Sequence, residues 1–73
     1  MIVQVLYWQD IPSIVKAGDV KRQLPDSFQQ EIDRVAMEQG LLGSDAYLEQ
    51  WEWRVVDGDS VDAVFEALIA SRP

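Results

Sequence analysis

The sequence contains neither cysteine nor histidine. Their absence excludes disulfide bonds, thiolate nucleophiles, zinc sites built from these residues, and acid–base catalysis by imidazole. Long hydrophobic runs are also missing, since no segment approaches the roughly 18 apolar residues that a membrane-spanning helix needs. The first residues lack the basic region that opens a signal peptide. We therefore expect a cytoplasmic protein without membrane insertion and without a metal or other cofactor.

Basic residues are scarce, because the 73 residues include 13 acidic and 6 basic side chains, for a formal net charge of −7. That charge repels phosphate, so it argues against nonspecific binding to nucleic acid or to an anionic membrane. Hydrophobic residues make up 48% of the chain, which is typical of a globular protein. At 8.3 kDa we expect one domain over residues 1–73, whose small core is densely packed or completed by a partner.

Three strands are predicted in the first third of the chain. Residues 2–8 are almost all β-branched, aliphatic or aromatic, which is typical of a central strand covered on both faces. Residues 9–12 end this strand, because Pro12 cannot donate a ladder hydrogen bond. Residues 13–16 and 20–24 then pair as a hairpin, and its lysines suit an exposed sheet edge.

An amphipathic helix follows the hairpin. Phe28, Ile32 and Ala36 recur at helical spacing. Asp26 or Ser27 is predicted to start the helix through a capping box, and a left-handed glycine at position 40 is predicted to end it. A single helical turn is expected around residues 46–48.

The hydrophobic period then changes from 3.6 to 2. Residues 51–55 alternate between apolar and polar, which predicts a half-buried strand with both tryptophans and Val55 facing inwards. Asp59 or Ser60 then caps a last amphipathic helix over residues 61–69. The predicted order is therefore β-β-β-α-β-α.

Two helices with one apolar face each and a single sheet have to bury their apolar surfaces against one another. The sequence therefore predicts a two-layer α+β sandwich, with two helices on one face of a three- or four-stranded sheet.

Several short motifs, in this order and spacing, resemble the small bacterial "virulence factor" domain family over residues 6–54. The resemblance implies a bacterial origin and a small intracellular domain, and similar sequence also ends longer proteins called conserved virulence factor C. It implies no reaction, cofactor or catalytic residue. The motifs include Tyr-Trp-Gln-Asp-Ile-Pro at residues 7–12, Val-Lys-Ala-Gly at 15–18, Lys-Arg-Gln-Leu at 21–24, Phe-Gln-Gln at 28–30 and Ser-Asp-Ala-Tyr-Leu-Glu-Gln-Trp at 44–51.

One acidic segment mimics a catalytic motif. Asp57 and Asp59 are spaced like the aspartates that open haloacid-dehalogenase phosphatases, but the chain that follows is too short for the remaining strands of that fold. We interpret the segment as a strand end, a glycine turn and a helix cap. With Asp62, these acids also lack the pattern of a calcium-binding loop. We therefore predict no catalytic and no metal-binding residue.

The aromatic residues give the strongest functional indication. Tyr7 and Trp8 point to opposite faces of their strand, so at least one needs cover on the sheet face away from the helices. Either that face exposes an aromatic patch to a partner, or the loop over residues 41–48 folds over it.

The hairpin cations Lys16, Lys21 and Arg22 are compatible with two functions. They could set the specificity of a protein partner, or they could bind an anion or RNA beside the aromatic rings. We predict a non-enzymatic interaction or accessory module that binds a protein partner or itself through an aromatic sheet face or the edge hairpin. The alternative is a small anionic-ligand or RNA-binding domain, and a third possibility is a subunit of an enzyme complex. The candidate interaction residues are Tyr7, Trp8, Lys16, Lys21, Arg22, Tyr47 and Trp51.

Overall fold

The computed structural model describes residues 2–71 and forms a sheet of four strands with three helices. This arrangement confirms the predicted α+β sandwich, and the predicted helical turn becomes a short helix in the order β-β-β-α-α-β-α. The strands are β1 (Ile2–Trp8), β2 (Ile11–Ala17), β3 (Val20–Gln23) and β4 (Trp51–Asp57), and the helices are α1 (Asp26–Glu38), α2 (Asp45–Glu49) and α3 (Val61–Ala70).

The sheet is antiparallel throughout, in the order β3-β2-β1-β4. β1 is central, as its nearly continuous apolar sequence predicts. β4 pairs with β1 over seven residues, from Ile2 opposite Asp57 to Trp8 opposite Trp51. Within residues 2–71, β3 and β4 are therefore the two edges of the sheet.

The turn between β1 and β2 is tighter than the sequence predicts. It occupies only Gln9 and Asp10, and Gln9 adopts a left-handed conformation with φ of 56°. The prediction that residues 9–12 separate the first two strands is wrong for Ile11 and Pro12, because β2 already begins at Ile11 and includes Pro12.

A β-bulge explains why proline is tolerated in β2. Leu6 lies opposite Ile14, whereas the next residue, Tyr7, lies opposite Pro12. Ser13 is therefore the extra residue, and the ladder is interrupted beside the proline, which has no N–H to contribute.

The larger core lies between α3 and one face of the sheet. Val3, Val5 and Val15 are fully buried there. The helices contribute Phe28 of α1 and, from α3, Val61, Val64 and Phe65. We call this the inner face of the sheet.

A second core lies at the end of the sheet that contains the tight β1–β2 turn, where Trp8 and Ile11 flank the turn. Both residues are buried against Ile32 and Ala36 of α1. Partly buried side chains surround this cluster, namely Leu41 and Tyr47 from the segment between α1 and β4, and Trp51 at the start of β4.

The helix ends agree with the predictions in two of three cases. Gly40 ends α1 in the left-handed region with φ of 71°, and the N–H of Leu41 donates to the carbonyl oxygen of Ala36 at 2.8 Å. Ser60 caps α3 by accepting from the N–H of Ala63 at 3.1 Å. The predicted capping box of α1 is wrong, because that helix begins at Asp26 without a side-chain cap.

Candidate interaction surface

Strand alternation defines a second sheet face, which we call the outer face. Gln4 and Leu6 alternate with the buried Val3 and Val5 on β1, so they point away from the inner face. Cross-strand partners share a face, which assigns the remaining members from the register. The outer face comprises Ile2, Gln4, Leu6, Ile14, Lys16, Lys21, Gln23, Trp53, Val55 and Asp57, and it continues to Trp8 and Trp51, which are covered in the second core.

Apolar side chains dominate this face, and several of them are exposed. Leu6 is flanked by Ile14 on one side and by Trp53 on the other. Trp53 is 42% exposed, Val55 is 67% exposed and Ile2 is 71% exposed. A contiguous apolar surface of this kind on a small domain is typical of a contact surface.

The prediction that the tryptophans and Val55 of β4 face inwards is wrong for Trp53 and Val55. The opposite side of β4, which carries Arg54 and Val56, faces the helices. Trp51 is half-buried in the second core. Alternation separates the two faces of a strand, but it does not say which face the helices cover.

One lysine borders the exposed tryptophan, and a second lysine lies beside the first. The Nζ of Lys16 lies 4.8 Å from the centre of the Trp53 ring, which is cation–π geometry. Lys21 is the direct cross-strand partner of Lys16, so two positive charges lie side by side on the outer face. Like charges placed directly opposite each other destabilise a sheet, and an anionic partner would relieve that repulsion.

The arginines behave differently from these lysines. Among residues 2–71, Arg22, Arg34 and Arg54 each form an ion pair with a carboxylate, whereas neither Lys16 nor Lys21 does. The outer face is therefore a cationic and apolar surface on a protein whose net charge is −7.

Arg22 does not join the two lysines. Its guanidinium lies 3.8 Å from the centre of the Phe65 ring and contacts a carboxylate oxygen of Asp62 at 2.6 Å. Both partners belong to α3, so Arg22 ties β3 to the helix on the inner side. The three hairpin cations named by the sequence therefore divide between the two faces of the sheet.

The aromatic candidates Trp8, Tyr47 and Trp51 lie in the second core. Trp8 is fully buried, and its Nε1 donates to the carbonyl oxygen of Tyr47 at 3.0 Å. The ring of Tyr47 lies 5.6 Å from that of Trp8 and 6.1 Å, edge-on, from that of Trp51. The segment after α1 thus covers Trp8, while Trp53 stays exposed. The sequence left open either a loop that covers the aromatic residues or an exposed aromatic patch, and the sheet has the first at Trp8 and the second at Trp53.

Tyr7 lies on the inner side and is half-buried. The guanidinium of Arg54 lies 4.5 Å from the centre of its ring and also donates to the carbonyl oxygen of Gln9 at 2.8 Å. Tyr7 therefore lies on the opposite side of the sheet from Trp53.

Comparison with known proteins identifies the family. The sequence matches the family described as "Virulence factor" over residues 6–71. The chain belongs to the virulence factor family. The match extends beyond residue 54, where the resemblance seen in the sequence ends, and so includes the rest of β4 and all of α3. No curated protein and no solved structure matches the sequence.

The acidic segment of this family member borders a cleft between the end of β4 and α3. The cleft has a volume of about 510 Å³, and only Asp57 and Asp59 among its lining residues have polar side chains. Within residues 2–71, no group of three or more carboxylates is arranged to hold a metal ion. Helices long and apolar enough to cross a membrane are likewise absent from this range.

Sequence reasoning did not select Trp53, Val55 or Ile2 as interaction residues. A signal for them was available, because two helices packed on one face leave the other face open, and the central strand is apolar on both sides. The sequence could therefore predict an open apolar face, but the register was needed to assign its members.

Proposed function

We propose that this virulence factor domain is a protein-interaction module that binds an acidic, partly apolar segment of another protein on its outer face. The observation that carries the proposal is the exposed ring of Trp53 with the ammonium group of Lys16 above it. Tryptophan is among the residues that most often dominate binding energy at protein interfaces. The module is not itself an enzyme in this proposal, although it could act as the accessory subunit of one.

The charge of the surface supports an acidic partner. Lys16 and Lys21 have no carboxylate partner among residues 2–71, and they lie beside each other at the border of the apolar area. A carboxylate from a partner would gain two ammonium groups and would reduce their mutual repulsion. The apolar side chains of the same face would supply the buried area.

The alternative function is binding of RNA or a small anion by the same surface. The Lys16–Trp53 pair favours it, because base stacking on an aromatic ring beside a cation is a common mode of single-strand recognition. Two features favour a protein partner. Arg22 is engaged with Asp62 on the other side of the sheet, which leaves two cations on the outer face, and the net charge of −7 repels a polyanion.

Affinity capture from native cells at low and high salt tests this proposal. The wild-type protein is compared with Lys21→Glu and with Arg34→Glu, which makes the same charge change on α1. We expect a stoichiometric protein partner that survives about 0.5 M salt, is weakened by Lys21→Glu and is unaffected by Arg34→Glu. Recovery of RNA or a small anion at low salt only would support the alternative, since phosphate contacts weaken steeply with salt.

A further inference from the structure

The two edges of the sheet are protected to different degrees. β3 has four residues and carries Lys21 and Arg22, which is the usual protection of an edge against pairing. β4 has seven residues, contains no proline, and pairs only with β1 within residues 2–71; its charged side chains, Glu52, Arg54 and Asp57, are of mixed sign. Half of the backbone N–H and C=O groups of β4 therefore point away from the sheet and can pair with another strand.

We propose that β4 pairs antiparallel with β4 of a second copy of this chain, around a two-fold axis at Trp53. Two sheets would then join into one continuous eight-stranded sheet, counted as twice the four strands of one copy. This interface uses the backbone edge of β4 and shares only Trp53 with the residues that carry the outer-face proposal.

The side chains of β4 are complementary to themselves in this register. With Trp53 opposite its own copy, Glu52 lies opposite Arg54 of the second copy, and the two-fold axis produces this ion pair twice. Trp51 lies opposite Val55 of the second copy, which is an aromatic–β-branched pair of the kind that stabilises sheets. Every residue from 51 to 55 thus meets a partner of matching chemistry.

The neighbouring registers are unfavourable. An axis at Arg54 places two guanidinium groups opposite each other, and an axis at Glu52 places two carboxylates opposite each other. An axis between two residues would pair the outer face of one copy with the inner face of the other, because side chains alternate with a period of two. Charge and alternation together therefore select the axis at Trp53.

In the single chain, Arg54 is held on the β1 side of β4. Its guanidinium lies over the ring of Tyr7, donates to the carbonyl oxygen of Gln9 at 2.8 Å, and pairs with Asp10 and Glu52. The side chains of Arg54 and Glu52 are 39% and 65% exposed, and pairing across the edge requires the guanidinium of Arg54 to turn towards the second copy. In the dimer, the two pairs would form a square of four alternating charges.

The long-range charge of the protein opposes association, since each copy carries −7. Salt screens this repulsion beyond about 8 Å at physiological ionic strength, whereas directly opposed pairs interact at shorter range. At about 0.15 M salt, we therefore expect a reversible dimer whose population rises with protein concentration.

Charge reversal with complementation tests the register. In sedimentation analysis, the wild-type mass should rise with concentration from 8.3 kDa towards twice that value. Glu52→Arg alone and Arg54→Glu alone should each dimerise roughly tenfold more weakly or worse, because both opposed pairs become repulsive. An equimolar mixture of the two variants should dimerise again, since every pair between the copies is then attractive.

The mixture isolates the contact between copies. Residues 52 and 54 of each variant chain still carry like charges, so restored dimerisation cannot come from a repaired contact within one chain. Arg34→Glu is the matched control for the charge change, and it should dimerise as the wild type does. Circular dichroism and thermal melting establish that each variant is folded.

A second variant covers the case in which Arg54→Glu does not fold. Trp53→Glu replaces an exposed ring, keeps a partner for Lys16, and places two carboxylates at the proposed axis. It should be monomeric while folded. The proposal is overturned if the wild type stays monomeric at all concentrations, if the mixture of folded Glu52→Arg and folded Arg54→Glu fails to dimerise, or if folded Trp53→Glu still dimerises. None of these outcomes affects the Lys21→Glu comparison, so the two proposals fail separately.

Discussion

At the residue scale, Trp8 and Trp53 occupy opposite environments on neighbouring strands. Trp8 is fully buried and bonded to a carbonyl oxygen 39 residues away, whereas Trp53 is 42% exposed and contacts a lysine. The first ring therefore stabilises the fold, and the second is available for binding.

This contrast predicts different costs for the same substitution. Trp8→Ala should lower the free energy of unfolding by about 3–5 kcal/mol, because it leaves a cavity and an unpaired carbonyl. Trp53→Ala should cost clearly less, since its ring is 42% exposed and loses only its surface contacts with Leu6 and Lys16. Urea unfolding followed by far-UV circular dichroism measures both values. Equal losses would show that Trp53 also belongs to the core.

Gly58 is constrained by packing rather than by its backbone conformation. A Cβ atom at this position would collide with Cγ2 of Val64 in the larger core. Gly58→Ala should therefore destabilise the protein by about 1–3 kcal/mol through overpacking. The same substitution should cost less in a Val64→Ala background, where the colliding methyl is absent. A double-mutant cycle measures this coupling, and strict additivity would contradict the collision.

At the element scale, local signals predicted most helices and strands, and contacts between distant residues determined the rest. The central position of β1, the glycine that ends α1 and the serine that caps α3 follow from composition and turn chemistry. The entry of Pro12 into β2 depends on a bulge created by pairing with β1. The orientation of β4 depends on where α3 packs, which no local pattern contains.

The two longer helices begin differently, and this predicts different effects of cap removal. Ser60→Ala should lower the free energy of unfolding by about 1 kcal/mol, because it removes the acceptor for the N–H of Ala63. Ser27→Ala, at the start of α1, should cost less than half of that, because α1 has no side-chain cap. Thermal unfolding compares the two variants, and equal costs would contradict the assigned caps.

The β2–β3 hairpin predicts that stability and binding change in opposite directions. Lys21→Glu converts a like-charge pair with Lys16 into an attractive pair, so it should raise the free energy of unfolding by about 0.2–1 kcal/mol. The same variant should bind the proposed acidic partner more weakly. Chemical unfolding and affinity capture on one preparation measure both, and a variant that is both less stable and weaker in binding would point to unfolding instead.

At the scale of the whole molecule, charge and apolar area are distributed unevenly. The net charge is −7, yet two lysines without carboxylate partners among residues 2–71 lie together beside the exposed apolar side chains of the outer face. The sequence indicated an aromatic contact surface and basic residues near it. The sequence could not assign the members of this surface, because their burial depends on how the sheet packs. Trp8, a predicted contact residue, is buried, and Trp53, predicted to face inwards, is exposed.

The most direct test of the outer face as the contact surface is affinity capture with Trp53→Ala beside Leu48→Ala. Leu48 is 66% exposed and lies on α2, outside the outer face, so the two variants remove comparable exposed apolar side chains. We predict that Trp53→Ala loses the captured protein partner while remaining folded, and that Leu48→Ala retains it. Retention of the partner by Trp53→Ala, or equal loss with Leu48→Ala, would contradict the assignment of the outer face.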